Sequence, residues 1–212
     1  MPPSTGRDTR GEEKASGSGQ GKAKGTLVVG VVKALRWFKE KGRAATPPHL
    51  HPLLDTRVLP STWYDEADYL ELLHVLASIT EPPAGIEVWE YLGRQQGVAS
   101  FFERSYQNLL REGDPQWTLA NFPLLWKLRH DTGAATVVTT GNDRARVDLA
   151  DFSIVSRDYC RAIGGTIWAL LDRCGAKEIR VLKVSCRAEG KPICTWDASW
   201  TPTTASAPLA AG

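Results

Sequence analysis

Residues 177–200, KEIRVLKVSCRAEGKPICTWDASW, decide the fold class of this chain. Ile179 and Val181 recur at every second position, which is the period of a β-strand. Glu189 to Pro192 then bring turn-forming residues, and a second β-rich run follows. The pattern predicts an antiparallel hairpin, and the two cysteines eight positions apart within it leave open a metal site, a disulfide or a plain hairpin.

The segments before this hairpin alternate between helical and strand periods. Residues 134–149 pair two β-branched runs around Gly141-Asn142-Asp143, which indicates another hairpin, and 153–175 repeat apolar residues at helical spacing. Four helical segments come earlier: 25–42, 61–80 with a Ser61 or Thr62 cap, 84–113 in one piece or two pieces meeting near Gly93 or Gly97, and 116–133. The order predicts an α+β domain in which an antiparallel four-stranded sheet packs against helices.

Composition favours one domain of ordinary size. The chain has 212 residues, 42% of them hydrophobic, and a net charge of +2. The near-neutral balance of charges argues against nucleic acid as a partner.

No apolar run is long enough to span a bilayer or to form the core of a signal peptide, which predicts a cytoplasmic protein. Residues 1–24 and 201–212 are poor in apolar residues, so we expect disordered tails around a domain at 25–200.

The chain has four cysteines, which we expect to be reduced in a cytoplasmic protein. They can serve as small apolar core residues or as metal ligands.

Several fragments, taken in order, resemble the 4-vinyl reductase domain family, and most closely a myxobacterial branch of it. The resemblance covers about residues 25–200. It rests on KGTLVVGVVKAL (24–35), LPSTWYDEADYLELL (59–73), EYLGRQQG (90–97), the Trp126 helix ending in HDTG (130–133), DYCRAIGGTIWALLDRCGAKEIRV (158–181) and CRAEGKPICTWDASW (186–200).

That resemblance implies a fold similar to the Bet3-type subunits of the TRAPP vesicle-tethering particle. It implies a homodimer that holds a small hydrophobic or aromatic ligand between helices and sheet. It also implies a structural zinc site, because Cys160, Cys186 and Cys194 match the spacing of three family ligands. The fourth family ligand is a glutamate, and Lys183 stands at its position. An ammonium cannot ligate zinc, so we expect no cofactor, with three thiols as core residues favoured over a zinc site.

Five residues are candidates for lining a ligand pocket, because each is aromatic or polar on an otherwise apolar element: Trp126, His130, Arg94, Tyr106 and Tyr159. Core packing and surface exposure are the alternatives. No pairing of a nucleophile with a base stands out at interpretable spacing, so the sequence predicts no enzyme.

Two functions remain open. The first is a non-enzymatic domain that binds and senses a hydrophobic or aromatic small molecule as a dimer. The second is a TRAPP-like interaction scaffold for a protein partner such as a small Ras-like GTPase, with no exchangeable ligand. The chain shows no output motif of its own, so a sensing role requires a second protein.

Overall fold

A computed structural model describes residues 21–201 of the chain. Within them lie seven α-helices: α1 (Gly25–Glu40), α2 (His51–Asp55), α3 (Glu66–Ile79), α4 (Val88–Phe102), α5 (Pro115–Ala120), α6 (Phe122–Arg129) and α7 (Arg157–Arg173). Six strands complete the fold: β1 (Lys22–Lys24), β2 (Trp63–Asp65), β3 (Ala134–Gly141), β4 (Arg144–Ala150), β5 (Lys177–Ser185) and β6 (Cys194–Thr201).

The main sheet has four antiparallel strands in the order β3-β4-β6-β5. Both predicted hairpins are present, and they join because β4 pairs with β6. Trp196 of β6 faces α7, where its indole nitrogen donates to the carbonyl of Cys160 at 3.2 Å. The opposite face carries charged side chains such as Arg146 and Asp197, which form an exposed ion pair. The predicted α+β class, with an antiparallel sheet packed on helices, is confirmed.

A second, two-stranded sheet was not predicted. β1 pairs with β2, and this delays the start of α3 to Glu66 instead of the predicted Ser61 or Thr62 cap. Lys22–Lys24 lie at the end of the predicted N-terminal tail but form a strand, because they pair with β2, and Ala23 is fully buried. The rest of both predicted tails, 1–20 and 202–212, lies outside the described residues.

Helices α4 and α7 pack with their backbones in contact. A Cβ at Gly93 would lie 1.8 Å from the carbonyl oxygen of Ala162, and one at Gly165 would lie 2.1 Å from that of Glu90. The hydroxyl of Thr166 donates to the carbonyl of Gly93 at 3.0 Å. The alternative of two helical pieces meeting near Gly93 or Gly97 is therefore wrong, because α4 runs through both glycines, which allow close packing. A single helix over 84–113 is wrong as well, because α4 ends at Phe102 and a 3₁₀ helix follows at Arg104–Leu109.

Within residues 21–201 no helix is long and apolar enough to cross a membrane.

Candidate ligand cavity and thiol cluster

Helices α1, α3 and α4 line a partly open cavity of about 540 Å³, which we call the helical cavity. Its walls are mostly aliphatic and aromatic, with Leu27, Val31, Leu73 and Leu76 among them. The exposed charged residues on its lining, Arg43 and Glu81, form an ion pair at 3.5 Å. Size and lining are those of a site for a drug-sized organic molecule.

Arg129 brings a buried charge to the helical cavity from the last turn of α6. The residue is only 6% exposed. One terminal nitrogen donates to the hydroxyl of Ser100 at 2.7 Å, and the guanidinium lies 5.0 Å from the centre of the Tyr106 ring. Its Nε has no hydrogen-bond partner among the described residues. Burying a guanidinium without a counter-charge is costly, so this residue stands out from the apolar wall.

A second cluster of buried polar side chains is centred on His130, at the end of α6. The His130 Nδ1 lies 2.6 Å from an oxygen of Glu66, and both side chains are at most 3% exposed. The other carboxylate oxygen of Glu66 accepts from the hydroxyls of Thr132 and Ser153. Burial lowers the pKa of His130, although the hydrogen bond to Glu66 opposes this. The pair is thus best described as a neutral imidazole that donates to a carboxylate.

Aromatic rings fill the space around that imidazole. The Trp126 ring stacks on His130 at 4.1 Å between centroids, and Phe152 meets both rings edge-on. The Tyr159 hydroxyl lies 3.4 Å from the His130 Nε2. The cavity left beside them is only about 20 Å³, and it shares Leu27, Gln96 and Arg129 with the helical cavity. There is no room at His130 for more than a water-sized molecule.

Three cysteines converge where α7 meets the hairpin of β5 and β6. The Sγ of Cys160 lies 3.4 Å from that of Cys194 and 3.7 Å from that of Cys186, and all three are buried. No other histidine, cysteine or carboxylate of the described residues joins this group. The structure therefore brings together the three residues that the sequence singled out, without a fourth ligand.

Lys183 lies over this thiol cluster. Its ammonium is 3.5 Å from the centre of the Trp196 ring, and its positive charge favours the thiolate form of a nearby cysteine. The larger effect on each thiol comes from the other: the shared hydrogen bond raises the pKa of Cys160 and lowers that of Cys194. The cluster is therefore suited to carry one thiolate, stabilised by a neighbouring thiol and an ammonium.

The five predicted pocket residues fall in three places. Trp126, His130 and Tyr159 form the aromatic group just described. Tyr106 is buried beside Arg129 and shares a 2.6 Å hydrogen bond with Thr26. Arg94 lies apart from them, in a groove of about 630 Å³ between α4, α7 and β5, where it binds Glu90 and covers the Trp168 ring at 3.6 Å. Their role in ligand binding stays a prediction.

Sequence reasoning missed the two buried charges. Arg129 follows Phe122, Leu125 and Trp126 on one helical face, and Glu66 precedes Tyr69 and Leu73 on another. Both charges could have been predicted as buried from the sequence, because each stands at a position that continues the apolar face of its helix.

Whether the cysteines hold a metal stays a prediction, and Lys183→Glu tests their geometry. The change places a carboxylate beside three convergent thiols, which completes a tetrahedral zinc set. We expect the variant to retain more zinc than the unmodified protein after dialysis, and chelator to lower its melting temperature. Arg180→Glu is the matched control, because it makes the same charge change on the opposite face of β5. Equal zinc content in the two variants would contradict the expectation.

One family model matches almost all of the described chain. This family carries the description "Protein of unknown function (DUF2378)", and the match covers residues 22–201. The chain belongs to this family. No curated protein matches the sequence.

Solved structures of H-NOX proteins are similar to this DUF2378 chain. An H-NOX protein from S. oneidensis in the Fe(II)NO ligation state is 12% identical, with a TM-score of 0.57 over 84% of this chain and 99% of that one. An oxygen-binding H-NOX domain related to soluble guanylate cyclases is 16% identical, with a TM-score of 0.57 over 87% and 98%. A structure described as "Modulating Heme Redox Potential Through Protein-Induced Porphyrin Distortion" is 17% identical, with a TM-score of 0.54 over 83% and 99%. At these identities the likeness establishes the fold.

These comparisons correct two predictions. The resemblance to the 4-vinyl reductase family and its Bet3-like fold is wrong, since the family model is a different one and the similar structures are H-NOX proteins. The fragments behind it are short pieces of several helices and one hairpin, and each piece alone is too unspecific to identify a family. The expectation of no cofactor beyond a weakened zinc site is overturned as well, because the fold is one in which solved structures contain haem.

Proposed function

We propose that this DUF2378 domain is a non-enzymatic small-molecule sensor that binds an organic ligand in the helical cavity. The observation that carries the proposal is the cavity itself, of about 540 Å³ and mostly apolar. Its lining includes no histidine, cysteine or serine, and its one carboxylate, Glu81, is paired with Arg43. Such a surface can bind and orient a ligand but offers no nucleophile paired with a base. The fold shared with oxygen-binding H-NOX domains supports the same class of function.

Haem itself is not accommodated by the described residues. An iron ligand from the protein would be histidine, cysteine, methionine or tyrosine. The helical cavity offers only Tyr91 of these types. His130 is oriented by Glu66, as a ligand histidine often is by a second residue, but stacked rings leave about 20 Å³ beside it. We therefore assign the ligand to the helical cavity and derive no chemistry from haem iron.

The output of such a sensor is another protein or a second copy of the chain. A homodimer and a separate protein partner are both part of the proposal. Binding of the ligand would change the positions of α1, α3 and α4, the helices that line the cavity, and a partner would recognise this change.

A fluorescence titration with N-phenylnaphthylamine, a neutral apolar probe, tests the proposal. Gly30 lines the cavity, and a Cβ added to it would have no atom within 4 Å, so Gly30→Trp should fill the space without a backbone clash. We expect this variant to weaken probe binding by about tenfold or more, because the indole would occupy space that the probe needs.

Lys33→Trp is the control, because it adds the same ring to the same helix at an exposed position that does not line the cavity. It should leave probe affinity unchanged. An unmodified protein that does not bind the probe, or two variants that bind it equally, would refute the proposal. A one-to-one haemin complex that depends on His130 would replace the organic ligand with haem.

A further inference from the structure

The buried guanidinium of Arg129 narrows the chemistry of the ligand in the proposed cavity. The residue lines both the helical cavity and the small cavity next to it, so its side chain borders the space that a ligand would occupy. It is 6% exposed, so water cannot solvate its charge freely. The partners of this charge must therefore come from the protein or from a ligand.

No carboxylate of the described residues contacts this guanidinium directly. Within residues 21–201 no carboxylate forms an ion pair with Arg129, and its Nε has no hydrogen-bond partner. The contacts it does make are with the Ser100 hydroxyl and the face of the Tyr106 ring, both uncharged. The buried carboxylate of Glu66 is already bound to His130, Thr132 and Ser153.

Two other arginines near the large cavities are paired. Arg43, at the exposed side of the helical cavity, forms an ion pair with Glu81, and Arg94, in the outer groove, forms one with Glu90. Arg129 is thus the cation of the helical cavity that lacks a counter-ion among the described residues. One unpaired positive charge in an apolar cavity matches one negative charge on an apolar molecule.

We infer that the helical cavity binds an amphipathic monocarboxylate, with its carboxylate on Arg129 and its apolar body between α1, α3 and α4. The planar guanidinium can donate two parallel hydrogen bonds to a carboxylate, and such pairs strengthen where water is excluded. This inference rests on the proposed function, since it names the ligand class of the same cavity.

Displacement of N-phenylnaphthylamine by decanoate, decanol and decylamine tests the inference, because the three share one alkyl chain and differ in head group. For the unmodified protein we expect decanoate to displace the probe at a concentration at least about tenfold below that of decanol. Decylamine should be the weakest competitor, since its positively charged ammonium would lie beside the positive charge of Arg129.

Arg129→Met removes the charge at similar length and should bring decanoate and decanol to within about twofold of each other. Arg43→Met, at the same cavity but with its own partner, should keep the preference for decanoate. Arg129→Lys keeps the charge without the planar fork and should give an intermediate preference. It also keeps the test available if Arg129→Met does not fold.

Equal affinity of the unmodified protein for decanoate and decanol would overturn the inference and leave the cavity proposal intact. A preference for decanoate that survives in both Arg129 variants would also overturn it. Failure of every alkyl ligand to displace bound probe would remove the cavity proposal itself.

Discussion

Glu66→Ala is expected to destabilise the folded protein by about 3–5 kcal/mol, because leaving a buried hydrogen-bond donor without its acceptor costs about 1–3 kcal/mol and this variant affects three donors. The side chain is 1% exposed, and its carboxylate accepts hydrogen bonds from His130, Thr132 and Ser153. The variant would leave all three donors without this acceptor. Urea denaturation followed by circular dichroism measures the change as a lower midpoint at an unchanged slope.

The same helix offers a matched control for that variant. Glu71 forms an ion pair with His49 at 2.8 Å, but the two side chains are 42% and 57% exposed. Water solvates this pair, so Glu71→Ala should change the free energy of unfolding by less than about 1 kcal/mol. A loss for Glu66→Ala no larger than that for Glu71→Ala would show that the buried pair does not stabilise the fold.

Gly93→Ala should cost about 3 kcal/mol or more, because one methyl group would separate α4 from α7. The added Cβ would lie 1.8 Å from the carbonyl oxygen of Ala162, which belongs to the backbone of the facing helix and cannot rotate away. Helix propensity alone predicts the opposite, a gain of about 1 kcal/mol for alanine over glycine. Thermal and urea unfolding should both show the loss.

Gly30→Ala is the control for this second variant, since Gly30 lies in an exposed position of α1 with nothing within 4 Å of a Cβ. Propensity then acts without a clash, and we expect a gain of about 0.5–1 kcal/mol. If Gly93→Ala were also stabilising, the helices would not be in backbone contact.

Local patterns were sufficient for the sheet and most helices. The alternation of Ile179 and Val181 and the turn at Gly190 specify a hairpin whatever surrounds it, because side chains alternate across any strand. The short elements could not be predicted from the sequence. α2 lies in a proline-rich loop, and β1 becomes a strand only by pairing with β2, which lies in a distant part of the chain. A segment of three residues is too short to show the alternation of apolar and polar residues that predicts a strand, and pairing with a distant segment adds no local pattern.

The thiol cluster is a case in which a match of cysteine spacing gave the right geometry but the wrong family. The family resemblance implied that Cys160, Cys186 and Cys194 lie close together, and the structure brings their sulfur atoms within 4.8 Å of one another. The family resemblance itself was wrong, since the family model that matches the chain is a different one and the similar structures are H-NOX proteins. Similar geometry does not establish common ancestry or a common ligand.

The sequence by itself determined the α+β class, the two hairpins and the helix faces, since these depend on the period of apolar residues. The tertiary structure alone decided what the charges on those faces do. Glu66 and Arg129 both continue apolar stripes, yet the fold gives one three hydrogen-bond donors and leaves the other beside a cavity. Periodicity indicates which residues point inward. Only packing determines whether a buried charge meets a counter-charge, because its neighbours come from helices and loops distant in sequence.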